Sequence, residues 1–441
     1  VNEEASDENV QPAVQVVPRP PLPSQTEKHV RLVAWNCDIL SRMLVLVMVR
    51  RKSGNVRPDS RWKIKQMEAK FNTNSGSLLS EVTAVIALPT HAQHYKTVDP
   101  STVHLNEKVV GQLQRYVKAI ASMYSDNPFH NFEHASHVTM SVTKLLSRIV
   151  QPRIDEAESL HDHTYGITSD PLTQFVVVLS ALIHDVDHPG VPNQQLVKEN
   201  TDLAVVYHSK SVAEQNSVDL AWDLLMVDGF EELRSTIYAT ESEFRRFRQL
   251  IVNTVLATDI VDKELKALRN ARWALAFSES RATDLNRDNV NRKATVVIEH
   301  LIQASDVAHT MQHWHIYRKW NQRFFTECYK AYISGRAEKN PIDNWYEGEM
   351  GFFDFYIIPL AKKLKDCGVF GVSSDEYLQY AQKNRKEWAS KGREVLSEWI
   401  EKVHNDPTLQ MVKKEIIIEE QTPEVPQQDL VAADPTTSTS E

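Results

Sequence analysis

Three short stretches of this chain hold ionisable side chains where their surroundings give no reason for them. The first runs Asp126-Asn127-Pro128-Phe129-His130-Asn131-Phe132-Glu133-His134. Asn127 suits a helix N-cap and Pro128 the first helical position. The spacing therefore predicts a helix from 128, with His130 and His134 one turn apart on one face. Two imidazoles so placed either share a metal, or one binds it while the other serves the reacting group. His137 continues that face, although such pairs also fall by chance on polar helix faces. The second stretch decides more. Residues 175–183 are nearly all apolar, read as a buried helix, and end directly in His184-Asp185-Val186-Asp187-His188-Pro189-Gly190. Ionisable groups that follow a core helix are costly to desolvate unless a cation gathers them. An adjacent His and Asp supply a neutral nitrogen and a carboxylate whose two oxygens can bridge two metals. The third is Ala304-Ser305-Asp306, at the end of the apolar-periodic run 296–302. Asp306 completes a set of two His and two Asp with positions left for water, the make-up of a catalytic and not a closed metal site. His161-Asp162-His163 has the same letters but no apolar run before it, and reads as a solvated loop.

The elements that must position these groups are helices. Helical periodicity marks 112–123, 136–150, 173–183, 244–256, 293–304, 313–333 and 375–403, with no Asn-Gly hairpin and no alternating strand pattern. The expected fold is all-α: a large compact helical catalytic domain over 81–405 with a di-metal site at the helix ends. A proline-rich lead-in occupies 1–29, a Ser/Asn/Gly-rich linker 53–80, and an acidic, solvated tail 406–441. Between lead-in and linker, residues 30–52 form an amphipathic helix in which Val33, Cys37, Leu40, Leu44 and Val47 repeat at heptad spacing. That stripe suits either a helix packed on the main domain or a homodimer interface.

Bulk composition excludes other classes. A net charge of −9 gives no field that would draw nucleic acid, and the basic runs near 50–52 and 57–65 read as solvated linker. Cys37, Cys328 and Cys367 lie far apart, which rules out a disulfide framework and fits a reducing, cytoplasmic setting. The longest uninterrupted apolar run, 43–49, is far short of a membrane span, so no membrane segment is expected in this chain. The first residue is Val1 and not Met, which reads as part of a longer chain.

In order and spacing, these motifs resemble the class I cyclic-nucleotide phosphodiesterases. The resemblance is carried by His130-Asn131-x-x-His134-Ala135, by 184–190 with Asn193, by Leu256-Ala257-Thr258-Asp259, by Asp306, and by Gly351-Phe352-Phe353-Asp354-Phe355 with Pro359-Leu360. It implies that His134, His184, Asp185 and Asp306 bind Zn²⁺, and that Asp185 bridges to a second divalent ion, Mg²⁺ or Mn²⁺. His130 would be the general acid, His188, Glu214 and Thr258 would surround the waters on the metals, and Phe352 would stack on the base. The chain departs from the pattern at Phe129 (usually Tyr), at His137 (usually an acid), at Gln195 (an apolar residue is expected) and at Gln215, Asn216 and Ser217, where a paired His is usual. Some protist relatives carry this domain behind a membrane-anchored nucleotide cyclase, so a cyclase or receptor region could precede Val1.

The implied reaction opens a cyclic nucleotide to its 5′-monophosphate by metal-activated hydroxide. His130 would protonate the departing ribose oxygen, and a neighbouring carboxylate should orient it and raise its pKa. A broader His-Asp nucleotide phosphohydrolase and a catalytically silent nucleotide-binding module are the alternatives; the second should have lost one of the five key groups, and none is lost. Glu349 stands where the family grips the purine with Gln. A carboxylate only accepts hydrogen bonds, whereas an amide does both. Guanine's two adjacent donors match it, with His309 donating from the other side, so cyclic GMP is favoured over cyclic AMP. Protonation of a buried Glu349 would restore the ambiguity.

Overall fold

The apolar segment 175–183 organises the domain around itself, because its surface must leave water. In chain order the principal helices are α1 (Glu27–Ser53), α2 (Arg61–Phe71), α3 (Glu107–Met123), α4 (Phe132–Ser147), α5 (Pro171–Ile183), α6 (Val212–Met226), α7 (Glu241–Leu256), α8 (Arg287–Asp306), α9 (Trp314–Ile333), α10 (Pro341–Phe352) and α11 (Gly371–Asn405). The computed structural model describes residues 27–54, 56–71, 78–89, 98–149, 160–278 and 286–413, and helices are the only regular structure among them. The fold is all-α, as expected. α5 begins with Pro171, whose missing N–H has no role in a first turn. Every residue from Phe175 to Ile183 is buried, so this helix needs neighbours on all sides. α1, α4, α7 and α8 supply them.

α8 is buried along most of its length in spite of Lys293, Glu299 and His300. Glu299 is paired with Arg272, the partner that a charge at 1% exposure requires. α8 packs on α4 and delivers Asp306 at its end, close to where α5 delivers His184. α9, α10 and α11 form the remaining wall, fastened by Trp388 and Trp399, both fully buried. Truncating either indole to Ala should cost about 3–5 kcal/mol.

The segments before the catalytic domain differ from expectation. Of the two readings of the heptad stripe, the structure takes the packed helix. Cys37, Leu40, Leu44 and Val47 are buried against α5 and α3 of the same chain, so the stripe is not free to join two copies. α1 is also long and apolar enough, by length and composition, to cross a membrane. The sequence conceals this because paired Asp38 and Arg42 interrupt the apolar run. The expected linker contains α2, held by Met67 in the core and by Glu68, which accepts from Tyr238 Oη at 2.7 Å and Arg234 Nε at 3.2 Å. Leu409 is buried too, so the core extends a little past 405. α1 also takes in 27–29 of the expected lead-in, while residues 1–26 and most of the acidic tail lie outside the described residues.

Candidate active site

The helix that carries His134 starts later than its sequence suggests. Asn131, not Asn127, is the N-cap of α4, its Oδ1 accepting from His134 N at 3.0 Å. Asn127 is engaged elsewhere: its Nδ2 donates to His188 O at 2.8 Å and His130 O at 3.2 Å. His130 therefore lies in the turn before α4 and not on its face. The two rings still meet, with centroids 6.1 Å apart. His137 packs edge-on against Trp320, and burial lowers it to about 4, an inert neutral ring.

Four expected metal ligands converge from three helix ends. His134 Nε2 lies 3.0 Å from Asp306 Oδ1 and 3.6 Å from Asp185 Oδ2. His184 Nε2 lies 3.1 Å from Asp185 Oδ2 and 3.4 Å from Asp306 Oδ1. Both imidazoles are almost completely buried. His184 Nδ1 donates to Ala181 O at 2.9 Å, so in the neutral ring Nε2 is a bare lone pair. It faces two carboxylates, and neither it nor Asp185 Oδ2 makes a hydrogen bond. Acceptors gathered at a buried point require positive charge there. In the protein alone that charge is a proton: burial opposes it, but Asp185 and Asp306 carry His184 well above the ordinary imidazole range. Burial likewise opposes ionisation of the two aspartates, and the imidazoles hold both well below the usual carboxyl range. A divalent cation meets the same need, and two nitrogens with two carboxylates suit one that keeps open positions.

Beside this group stands a second one. His130 Nδ1 is hydrogen-bonded to Glu327 Oε1 of α9, while Glu327 Oε2 accepts from the backbone N–H of Phe129 at 2.8 Å and of His130 at 2.9 Å. One carboxylate thus fixes both ring and main chain. Burial would lower His130, but the charge and hydrogen bond of Glu327, with help from Asp185 and Asp306, lift it to about 9. The ring stacks on His188, centroids 3.9 Å apart. Burial and the charge on His130 take His188 down to about 3, and its Nδ1 accepts from Gly190 N at 3.2 Å. Gly190 has φ +74°, and a Cβ there would come within 3.1 Å of Asn127 Oδ1, so only glycine fits. Glu327 is the carboxylate that an acid at His130 requires but that spacing does not locate. Its signal was an acid on a helix lined with buried Tyr317, Trp320 and Phe325.

Glu214, at the start of α6, is bound by Asn193 Nδ2 at 2.9 Å, and burial followed by the charge of Asp259 raises it to about 8. Thr258 turns its hydroxyl back to Val255 O at 2.7 Å; its neighbour Asp259 receives Ser211 Oγ at 2.7 Å and Asn193 at 3.5 Å. Asn216, where a paired His was missing, donates to Asp187 Oδ2 at 3.4 Å.

The expected base-contacting residues sit on α10 and the segment after α8. Glu349 Oε2 accepts from Tyr317 Oη at 2.6 Å and Asn321 Nδ2 at 2.8 Å. Asn321 Oδ1 accepts from Trp345 Nε1 at 3.1 Å, which fixes the amide's orientation because an indole only donates. Burial pushes Glu349 up to about 7 against the pull of those two hydrogen bonds. Phe352 stacks on Tyr356, centroids 5.4 Å apart. His309 is half-buried, lowered to about 3 by desolvation and so neutral, and 5.5 Å ring to ring from Phe129, which also touches His130 and His134. His161 bonds Ser169 Oγ at 2.9 Å in a short surface helix, apart from all of this.

Fold and site together define a helical protein with a buried His/Asp group that could hold a metal ion. Residues 129–370 match the model of the 3′,5′-cyclic nucleotide phosphodiesterases, more than half of the chain, and the chain belongs to that family. It is similar to a probable 3′,5′-cyclic-AMP phosphodiesterase (pde-4) of Caenorhabditis elegans, 26% identical over 58% of this chain and 36% of that protein. It is similar as well to a mouse dual-specificity calcium/calmodulin-dependent 3′,5′-cyclic nucleotide phosphodiesterase 1C, 25% identical over 58% of this chain and 34% of the other. The chain spans about a third of the length of these curated relatives. Its fold resembles the crystal structure of the phosphodiesterase domain of the Salpingoeca rosetta rhodopsin phosphodiesterase, with a TM-score of 0.52, 21% identity, and coverage of 67% of this chain and 83% of that one.

Proposed function

We propose that the chain hydrolyses a 3′,5′-cyclic nucleotide to the 5′-monophosphate and so ends a cyclic-nucleotide signal. The observation that carries this reading is the Glu327–His130 pair standing beside the convergent His134, His184, Asp185 and Asp306. Those four would hold one ion, Zn²⁺ by the family resemblance, and Asp185 would reach a second, Mg²⁺ or Mn²⁺. When bound, such a pair supplies Lewis-acid stabilisation of phosphoryl oxygens and a water of lowered pKa.

The chain's own residues supply the rest. Expelling the ribose 3′ oxygen needs a proton, because an alkoxide leaves poorly. Glu327 keeps His130 protonated at neutral pH and occupies Nδ1, which leaves Nε2–H to donate. Neutral His188, stacked on that ring, holds its plane without competing for the proton. Phe352 and Glu349 would take the base, with His309 opposite. The ionised Glu349 supports cyclic GMP and the protonated acid supports cyclic AMP. The relatives' names, one for cyclic AMP and one for dual specificity, are consistent with either. The Salpingoeca rosetta neighbour is the phosphodiesterase domain of a rhodopsin fusion, which supports an upstream receptor or cyclase region with this domain on the cytosolic side.

The test is hydrolysis of cyclic AMP, cyclic GMP and linear nucleotides together with elemental analysis. Turnover of linear nucleotides alone would point to a broader phosphohydrolase, and metal without turnover of any of them to a silent module.

A further inference from the structure

α1 contributes no residue to the candidate site, yet its first turn is tied to the segment that does. Lys28 Nζ lies 2.5 Å from Glu133 Oε1, and Arg323 Nη1 of α9 lies 3.0 Å from Glu133 Oε2. Glu133 stands between His130 and His134 in the first turn of α4, and Arg323 is one turn before Glu327 on α9. Two further contacts close the same seam: fully buried Asn36 donates to Ser136 Oγ at 3.0 Å, and the His29 ring lies 5.0 Å from that of Phe132. At its other end α1 is pinned by Arg51, which donates to Glu243 at 3.0 Å and to the carbonyls of Thr236 and Ile237.

We propose that Lys28, Glu133 and Arg323 form a clasp that positions His130 against Glu327, which makes the first turn of α1 a control point for proton delivery. The inference rests on the reading of His130 as general acid. His130 comes from the α4 side and Glu327 from α9, so their hydrogen bond depends on the spacing of those two elements. The Glu133–Arg323 pair spans the same gap one turn away, and Arg323 is itself held over the Trp320 ring at 4.7 Å. Lys28 binds the other oxygen of Glu133 and so couples α1 to that spacing. None of the three touches reacting atoms; they are positioning residues.

The test uses the full chain with Lys28→Arg, Lys28→Met, Lys28→Glu and Glu133→Gln. Each is assayed on the cyclic nucleotide and on an analogue with sulfur as the 3′ bridging atom, whose thiolate leaves without a proton. Lys28 is half exposed, so its removal should have a modest effect. With the natural substrate, Lys28→Arg should stay within about twofold, Lys28→Met fall about threefold, and Lys28→Glu and Glu133→Gln fall about tenfold in kcat with KM unchanged. The sulfur analogue should be turned over at the same rate by all of them. Unchanged kcat in folded Lys28→Glu and Glu133→Gln would overturn the clasp, and so would equal losses on both substrates. Failure of the acid reading is separate: His130→Asn would then turn over the natural substrate normally.

Discussion

Around Asp185 and Asp306, half-buried acids face imidazoles; around Glu349, a buried acid meets neutral donors. The outcomes are opposite. His184 and His134 hold the first two ionised in spite of burial, whereas Tyr317 and Asn321 cannot do so for Glu349, which rises to about 7. A hydrogen bond from a neutral donor stabilises a carboxylate less than a nearby cation does, so desolvation wins at one end and loses at the other. In the proposed reaction a carboxyl group would thus serve as a permanent charge at the phosphate end and as a titrating reader at the base end.

The largest test removes the permanent charge. Asp185→Asn should lower kcat by more than about 10⁴-fold, since this one carboxylate serves both expected ions. Metal content by elemental analysis accompanies the rate; two ions retained at normal turnover would end the two-metal reading. Next comes the proton. His130→Asn should cost about 10²–10⁴-fold in kcat while metal content stays intact, the ordinary worth of a general acid. A loss of metal in that variant would instead make His130 a ligand and blur the distinction between the two neighbouring groups.

A smaller effect is expected at the base end, and its sign follows from the raised pKa. In the proposed reading, Glu349 below about 7 is protonated and would donate to adenine N1, and above it the carboxylate would accept from guanine N1–H and N2–H. With Tyr317 and Asn321 both donating to Oε2, the proton belongs on Oε1. The ratio of kcat/KM for cyclic GMP over cyclic AMP should therefore rise about tenfold or more between pH 6 and pH 8. In Glu349→Gln the ratio should be flat with pH and shifted towards cyclic AMP, because the amide would turn its oxygen to the same two donors. A stability readout accompanies it. The unfolded chain ionises Glu349 near 4.5 and the folded chain near 7, so this group's contribution is present below 4.5 and lost as pH rises through 7. Glu349→Gln should thus raise Tm at pH 8 more than at pH 5; a pH-independent difference would show that Glu349 does not titrate in this range.

The smallest effect belongs to the look-alike. His161→Ala and His163→Ala should leave kcat/KM within about twofold, as surface substitutions away from a site do. A larger loss would extend the site to this short surface helix, where His161 bonds Ser169.

How far the sequence reached can be judged residue by residue. The α5 ending was legible because an apolar helix that stops at His184-Asp185 leaves few physical options, and Asp306 followed by the same logic. The start of α4 was not. Asn127 and Asn131 are equally good caps, and the choice went to Asn131 because His188 O, 61 residues away, engages Asn127. The heptad stripe of α1 announced a partner without naming it, and the partner proved to be α5 and α3 of the same chain.

What the sequence by itself determined are the properties that arise within one turn or one run: helical class, the apolar supports, the ligand types, and an acid where an amide is usual. What the tertiary structure alone decided is protonation. His130 is charged because Glu327 arrives from 197 residues away, His188 is neutral because it is desolvated and stacks on that charge, and Glu349 sits near 7 because burial raises it and α9 brings it only neutral donors. Desolvation and Coulomb interaction depend on distance through space, and chain order carries no record of that distance.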